Sequence, residues 1–333
     1  MNKFDQQTDN SKLYERIPFF TVKDLAILAF YVLIAPLSWI APARIWKILS
    51  FIIGFVVALL HVKRTVSRTK RILNVCAKTW KNIKYSLLEI KIISGSIEPH
   101  FQYFREYRFG GWRKPIKLTG REHIDKALEY GNGCILWVCP CLYGNLVEKK
   151  GLYQAGFAVH HLGSYAHGPS RSRFGLRFLN PIWTVIEKRY LAGRITIPFE
   201  KNLTYIRRVE WLLRQNGLIS ISCEPNFDQK RLDTPILNGN IQLATGAPSF
   251  ALSTRATLLP VFTICKRNYD FEIIVEPPLN LPNVRNRHEA VEILIHQYAK
   301  LLESYMVRFT NITYLWRSIS SYSNKINHKE FNN

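Results

Sequence analysis

Acidic residues are scarce in this chain: 24 Asp and Glu stand against 46 Lys and Arg in 333 residues, a formal net charge of +22 with histidine neutral. An excess of that size points to an anionic partner, whether nucleic acid, anionic lipid or a phosphorylated substrate, with solubility alone as the plainer alternative. Glycine and proline, at 17 and 16 residues, are too few for a collagen-like or low-complexity chain. No segment repeats at a fixed period. None of the six cysteines (Cys76, Cys134, Cys139, Cys141, Cys223, Cys265) forms a C-x-x-C pair, and no Cys/His group has zinc-finger spacing. They read as small buried hydrophobes in a reducing compartment, and no metal is expected. No nucleic-acid-binding motif is present. Residues 1–23 lack the basic start and small-residue cleavage site of a secretory signal.

What is present is apolar and ordered. Hydrophobic residues make up 47% of the chain, enough for a sizeable core and too many for a disordered protein. Long apolar runs are confined to one region. Leu25–Ala41 reads LAILAFYVLIAPLSWIA, and Ile48–Leu60 reads ILSFIIGFVVALL, with Arg44 and Lys47 between them. A spanning helix needs about 20 apolar residues. The first run barely qualifies and contains Pro36, and the second is short. Residues 24–62 are therefore expected to form a membrane anchor, either one span or a shallow helical hairpin. A buried helix pair of a soluble domain is the alternative. Trp39 and Trp46 suit an interfacial depth. The basic run that follows (His61, Lys63, Arg64, Arg68, Lys70, Arg71) suits anionic lipid.

Residues 63–115 read as a basic helical linker. From residue 116 short apolar strands alternate with amphipathic helices. Cys134–Cys139 (CILWVC), Leu218–Cys223 (LISISC) and Thr257–Cys265 (TLLPVFTIC) are continuous apolar runs, as strands buried on both faces require. Helices are expected over Glu122–Tyr130, Leu146–Ala155, Leu203–Gln215, Ala247–Arg255 and Glu289–Phe309, with Gly217 as a left-handed cap. The pattern predicts an α/β domain with a mostly parallel sheet flanked by helices over residues 116–318, and a polar tail over 319–333. Ligands in such sheets sit beyond the carboxyl ends of the strands, which here are Cys139–Asn145, Leu162–Arg173 and Glu224–Gln229.

The densest polar segment is one of these ends. Between Val159 and Gly175 stand His160, His161, His167, Ser164, Ser170, Ser172, Arg171 and Arg173. A general base for a hydroxyl or amine titrates near neutrality, which histidine does. Arginine forks suit phosphate. His160 and His161 are adjacent, so in a strand they face opposite sides. His167 and His161 are the candidate bases. Glu224, at another strand end, is the candidate orienting acid. Arg171, Arg173, Arg189, Arg194, Asn145 and Ser170 are the candidate anion and substrate contacts. Cys141 as a nucleophile would need a base such as His161.

The stretch Gly120-Arg-Glu-His-Ile-Asp-Lys-Ala-Leu-Glu-Tyr-Gly-Asn-Gly-Cys-Ile-Leu136 resembles the lysophospholipid acyltransferase superfamily, nearest its late lipid A acyltransferase branch. Supporting pieces are Gly217-Leu-Ile-Ser-Ile-Ser, Thr245-Gly-Ala-Pro-Ser-Phe-Ala-Leu, Leu259-Pro-Val-Phe and Tyr314-Leu-Trp-Arg317. The resemblance runs over roughly residues 20–318. It implies a membrane-bound enzyme moving an acyl chain from acyl-carrier protein or acyl-coenzyme A to a hydroxyl or amine of a polar lipid, with no metal or redox cofactor. The implied partners are that carrier and an anionic membrane lipid. The implied location is the cytoplasmic side of the cell (inner) membrane, held peripherally or by a single pass or hairpin. The family pairs His with Asp or Glu five residues on. Here those positions hold Leu142 and Val147, or, in the other register, Pro140 and Asn145, with Glu148 just beyond. Either another histidine serves as base, or the chain is a catalytically inactive acyltransferase-like protein that binds lipid or acts as a scaffold.

Overall fold

The computed structural model describes residues 17–63, 66–67, 88–139, 144–198, 203–225, 229–266, 270–309 and 319–321. Cys76, Cys141 and the Tyr314–Arg317 segment lie outside them, as do the side chain of Asn145 and the Pro140 and Leu142 positions.

The chain opens with two apolar helices, α1 (Val22–Ile40) and α2 (Ala43–Leu60). Each is long and apolar enough to cross a membrane. Helix α3 (Leu88–Glu106) follows. The α/β part then runs β1 (Ile116–Thr119), α4 (Arg121–Glu129), β2 (Cys134–Cys139), α5 (Gly144–Gln154), β3 (Val159–Ser164), a π-helical turn (Gly175–Leu179), α6 (Pro181–Lys188) and β4 (Gly193–Ile197). It continues with α7 (Thr204–Arg214), β5 (Leu218–Ser222), β6 (Arg231–Ile236), β7 (Gly239–Ala244), α8 (Gly246–Thr254), β8 (Thr257–Cys265), β9 (Phe271–Val275), α9 (Arg287–Arg308) and β10 (Ile319–Ser321).

Seven strands form one sheet in the order β1-β9-β8-β2-β5-β3-β4. Every neighbouring pair is parallel except β8 with β9. The protein is thus α/β with a mostly parallel central sheet flanked by helices. All six residues of CILWVC are buried, because helices cover both faces of its strand. On one face Ile135, Trp137, Ile219 and Phe262 pack against α7, α8 and α9, with Trp137 stacked on Tyr298 at 4.1 Å. On the other, Leu136, Val138 and Leu259 pack with Ile124 of α4, Val147 and Leu152 of α5 and Phe101 of α3. Helix α3 falls in the stretch read as a basic helical linker; it packs between the apolar pair on one side and α5 and α6 on the other.

Three details differ from the sequence-based expectation. Asn216, with φ 58°, takes the left-handed position after α7, and Gly217 does not. The Asn216 side chain accepts from Gly133 N–H and donates to Leu128 O, which ties this helix end to the start of β2. A second, antiparallel sheet, β10-β7-β6, appears where the pattern showed no strands. Ile319–Ser321, assigned to the polar tail, is its β10, paired with β7.

The apolar pair rests on α3. Along α2 the stripe Trp46, Ser50, Gly54 and Ala58 is buried, one residue per turn. Trp46 stacks on Phe101 at 5.7 Å, and a Cβ on Gly54 would lie 2.6 Å from Ser94 Oγ. At the end of α1, Trp39 Nε1 donates to Phe104 O, and Arg105 donates to Ser38 O and Trp39 O. The opposite faces expose Leu25, Val32, Ile48, Ile52, Leu59 and Leu60 among others. A continuous exposed apolar face of this kind marks a surface that meets something other than water.

Candidate active site

Sheet register brings the polar residues together. Ser220 of β5, His161 of β3 and Arg194 of β4 stand side by side in one row. That row continues into Leu136 of β2 and Leu259 of β8, so it begins as core and ends as a polar site. Side chains alternate along β3, so His160 points to the other face. A Cβ on Gly193 would approach it to 2.8 Å.

At the polar end lies Glu187, fully buried near the end of α6. Its Oε1 accepts from Tyr103 Oη at 2.6 Å and from His167 Nε2 at 2.9 Å, and lies 3.4 Å from Lys149 Nζ. Its Oε2 accepts from Arg194 at 3.0 Å. Burial works against the charge of Glu187, but Lys149 and His167 outweigh it and hold its pKa well below the ordinary value. A carboxylate only accepts, so Nε2 of His167 carries a proton, and Nδ1 is the ring nitrogen not engaged by Glu187. His167 follows the carboxyl end of β3 by three residues, its backbone N–H bonded to Ser164 O, and its side chain is 17% exposed. Among the described residues Nδ1 has no hydrogen-bond partner. This histidine is therefore held by an acid through one ring nitrogen and partly exposed, the arrangement of a candidate general base.

His161 differs. It is buried, its Nδ1 bonded to Ser220 Oγ at 2.7 Å. Burial first, then Lys149, hold its pKa well below the ordinary value, so its ring is neutral. Glu148, beside Lys149 on α5, is buried and its oxygens meet no full hydrogen bond. Burial pushes its pKa up to about 7; Lys149 opposes this, Glu187 adds to it, and nearby Ser220 opposes it. Between 4.5, the ordinary value, and about 7, the folded state keeps a proton that the unfolded chain has released. Stability therefore falls as pH rises through that window. Glu148→Gln is expected to be more stable than wild type near pH 8, by up to about 3 kcal/mol, with the gap closing toward pH 4.5. Thermal unfolding across that range checks it.

The other expected site residues spread out. Glu224 lies past β5 with its N–H on Ser222 Oγ; the carboxylate on His167 is Glu187. Arg194 is committed to Glu187 and to Ser164 O. Arg189 donates to Glu106 O and covers Tyr107. Ser170 donates to Asp24 of α1, and its N–H bonds Asn180 Oδ1. Arg171 is exposed, and Arg173 reaches toward Phe19. Glu187, Lys149, Tyr103 and Ser220 were not among the candidates that the sequence offered. The available signal was Val147-Glu148-Lys149-Lys150: three successive charges on a helix fan over about 200° at 3.6 residues per turn, so they cannot share one solvent face.

The loop that carries His167 is tightly built. A Cβ on Gly175 would overlap Ser170 Oγ and lie 3.0 Å from Asp24 Oδ1. Gly175→Ala is expected to cost about 1–3 kcal/mol through overpacking and to displace the loop; chemical denaturation and the His167 NMR resonance report the two effects.

No protein-family model matches the chain, and no curated protein matches it in sequence. Among solved structures it is similar to the 1-acyl-sn-glycerophosphate (LPA) acyltransferase PlsC from Thermotoga maritima, with a TM-score of 0.39 and 11% identity, over 80% of this chain and 99% of that one. A likeness this distant carries no weight for function, for which the residues above must answer.

Proposed function

We propose that this protein is a membrane-associated acyltransferase that moves an acyl chain from a carrier thioester to a hydroxyl or amine of a polar lipid. The observation that carries the reading is the His167–Glu187 pair beyond the carboxyl end of β3, in a chain with an exposed apolar helix pair and the acyltransferase-like sequence pieces noted above. His167 Nδ1 takes the acceptor proton as the acceptor oxygen or nitrogen attacks the thioester carbon. The C–S bond breaks, and His167 returns the proton to the departing thiolate. Glu187 fixes the ring's tautomer and stabilises its cation. Lys149 and Arg194 keep Glu187 ionised. His161, neutral and buried, supports the row from behind. The donor is acyl-carrier protein or acyl-coenzyme A, and the acceptor an anionic polar lipid.

The apolar pair holds the protein on the cytoplasmic face of the membrane, with α2 lying in the membrane plane. Protein runs along the whole inner side of α2, and α3 there carries exposed Lys91 and buried Glu89 and Glu98. A spanning α2 would draw those charges into hydrocarbon.

A second reading, an inactive lipid-binding or scaffold protein of the same fold, is favoured by one observation: neither register of the family motif holds a histidine or an acid. Lipid mass spectrometry on cells with and without the protein separates the two. A lipid that loses one acyl chain on deletion supports the enzyme. An unchanged lipidome, with the protein made and membrane-bound, supports the second reading.

A further inference from the structure

We propose that the start of α1 and the loop carrying His167 form a binding site for the anionic headgroup of a membrane lipid. The proposal rests on the membrane association above and is independent of acyl transfer.

The two segments are stitched together. Arg173 N–H donates to Pro18 O at 3.0 Å and Phe174 N–H to Phe19 O at 2.9 Å. Ser170 donates to Asp24, which also accepts from Thr21 N–H and Thr21 Oγ1 at 2.7 Å. The outside of this junction is aromatic. Phe20 meets Phe174 edge-on at 5.2 Å, and Phe174 meets Phe178 at 5.1 Å. Phe19 is 64% and Phe178 54% exposed, an unusual state for rings in water. Guanidinium groups lie over these same rings: Arg173 over Phe19 at 5.8 Å and Arg177 over Phe178 at 5.6 Å. Arg171, Arg177 and Lys23 are exposed. Across residues 17–24 and 168–180 the sole acid is Asp24, which is buried and bonded inward. The patch is thus positive throughout and continues into the exposed apolar face of α1.

Rings that seek the acyl boundary beside arginines that seek phosphate match the headgroup layer of a bilayer. A soluble acidic protein would match the charges but would leave the rings and the adjoining face of α1 in water. His167 precedes Arg171 by four residues in the same loop, so a headgroup held here lies on the loop that presents the base.

The test is sedimentation of the full-length protein with vesicles of pure phosphatidylcholine and of phosphatidylcholine with phosphatidylglycerol. Wild type should bind both, and the anionic vesicles more tightly. Arg171→Gln/Arg177→Gln should lose about 10- to 30-fold on anionic vesicles, near 1 kcal/mol per charge, with little change on neutral ones. Phe19→Ser/Phe178→Ser should weaken both. Arg44→Gln/Lys47→Gln, near the start of α2, should keep the anionic preference. An unchanged preference in the double-arginine variant overturns the proposal, as does its loss in the Arg44/Lys47 variant. A wild type that binds neither vesicle overturns the membrane association with it. Circular dichroism of each variant confirms that it is folded.

Discussion

Replacing His167 by alanine is expected to lower acyl transfer by about 10²- to 10⁴-fold, the usual loss of a general base. Fold and vesicle binding should stay intact. The expectation follows from geometry: Nε2 is bonded to Glu187, so the ring is held in one tautomer with its other nitrogen available. His161→Ala is the informative comparison. That ring is buried, neutral and bonded to Ser220, so its loss should appear first as lower stability. Product formation by mass spectrometry, with purified protein, vesicles and an acyl thioester, measures both. Wild-type turnover by His167→Ala would remove this residue from the chemistry and leave the structural reading of the cluster.

Glu187→Gln is expected to be the most destabilising single change in the site, by about 3–5 kcal/mol, because it strands buried cations. Lys149 has no exposed surface, and the Arg194 side chain is 9% exposed. Without the carboxylate the two buried charges face each other with no anionic partner between them. Adding Lys149→Met should recover part of the loss, since one stranded charge is then gone. Full additivity of the two changes would show that Lys149 and Glu187 do not act as a pair. The pH dependence has a definite sign. Glu187 titrates below its ordinary value of 4.5 in the folded state, so its stabilisation is complete above that value and lost as pH falls through the folded pKa. Wild type should therefore destabilise steeply on acidification in a way that Glu187→Gln does not. Denaturant midpoints over that range decide it.

Much of the framework was legible from residue pattern. Cys134–Cys139 and Thr257–Cys265 are strands with the bounds that their apolar runs suggest, because a strand buried on both faces is apolar along its whole length. The β6–β7 hairpin was not legible. Its turn places Leu237 at φ 52°, a conformation that turn rules reserve for Gly, Asn or Asp, although Asn238-Gly239 beside it was a usable signal. Asn216 in place of Gly217 at the end of α7 has a similar cause. Its side-chain bonds to α4 and β2 are tertiary, and local propensity cannot see them.

The site divides in the same way. Sequence alone set the chemical inventory: the excess of positive charge, the apolar pair near the start of the chain, and the concentration of His, Ser and Arg between residues 159 and 175. Those follow from composition and local order, which need no knowledge of what lies opposite. Tertiary structure decided the partners. Glu187 reaches His167 from α6, which packs against α3 and α5, and those two helices bring Tyr103 and Lys149 to the same carboxylate. It also drew Arg189 and Arg194 inward to protein acceptors while leaving Arg171 at the surface. A charged side chain satisfies the nearest strong partner in a low-dielectric space. Which partner is nearest is fixed by strand register and helix packing.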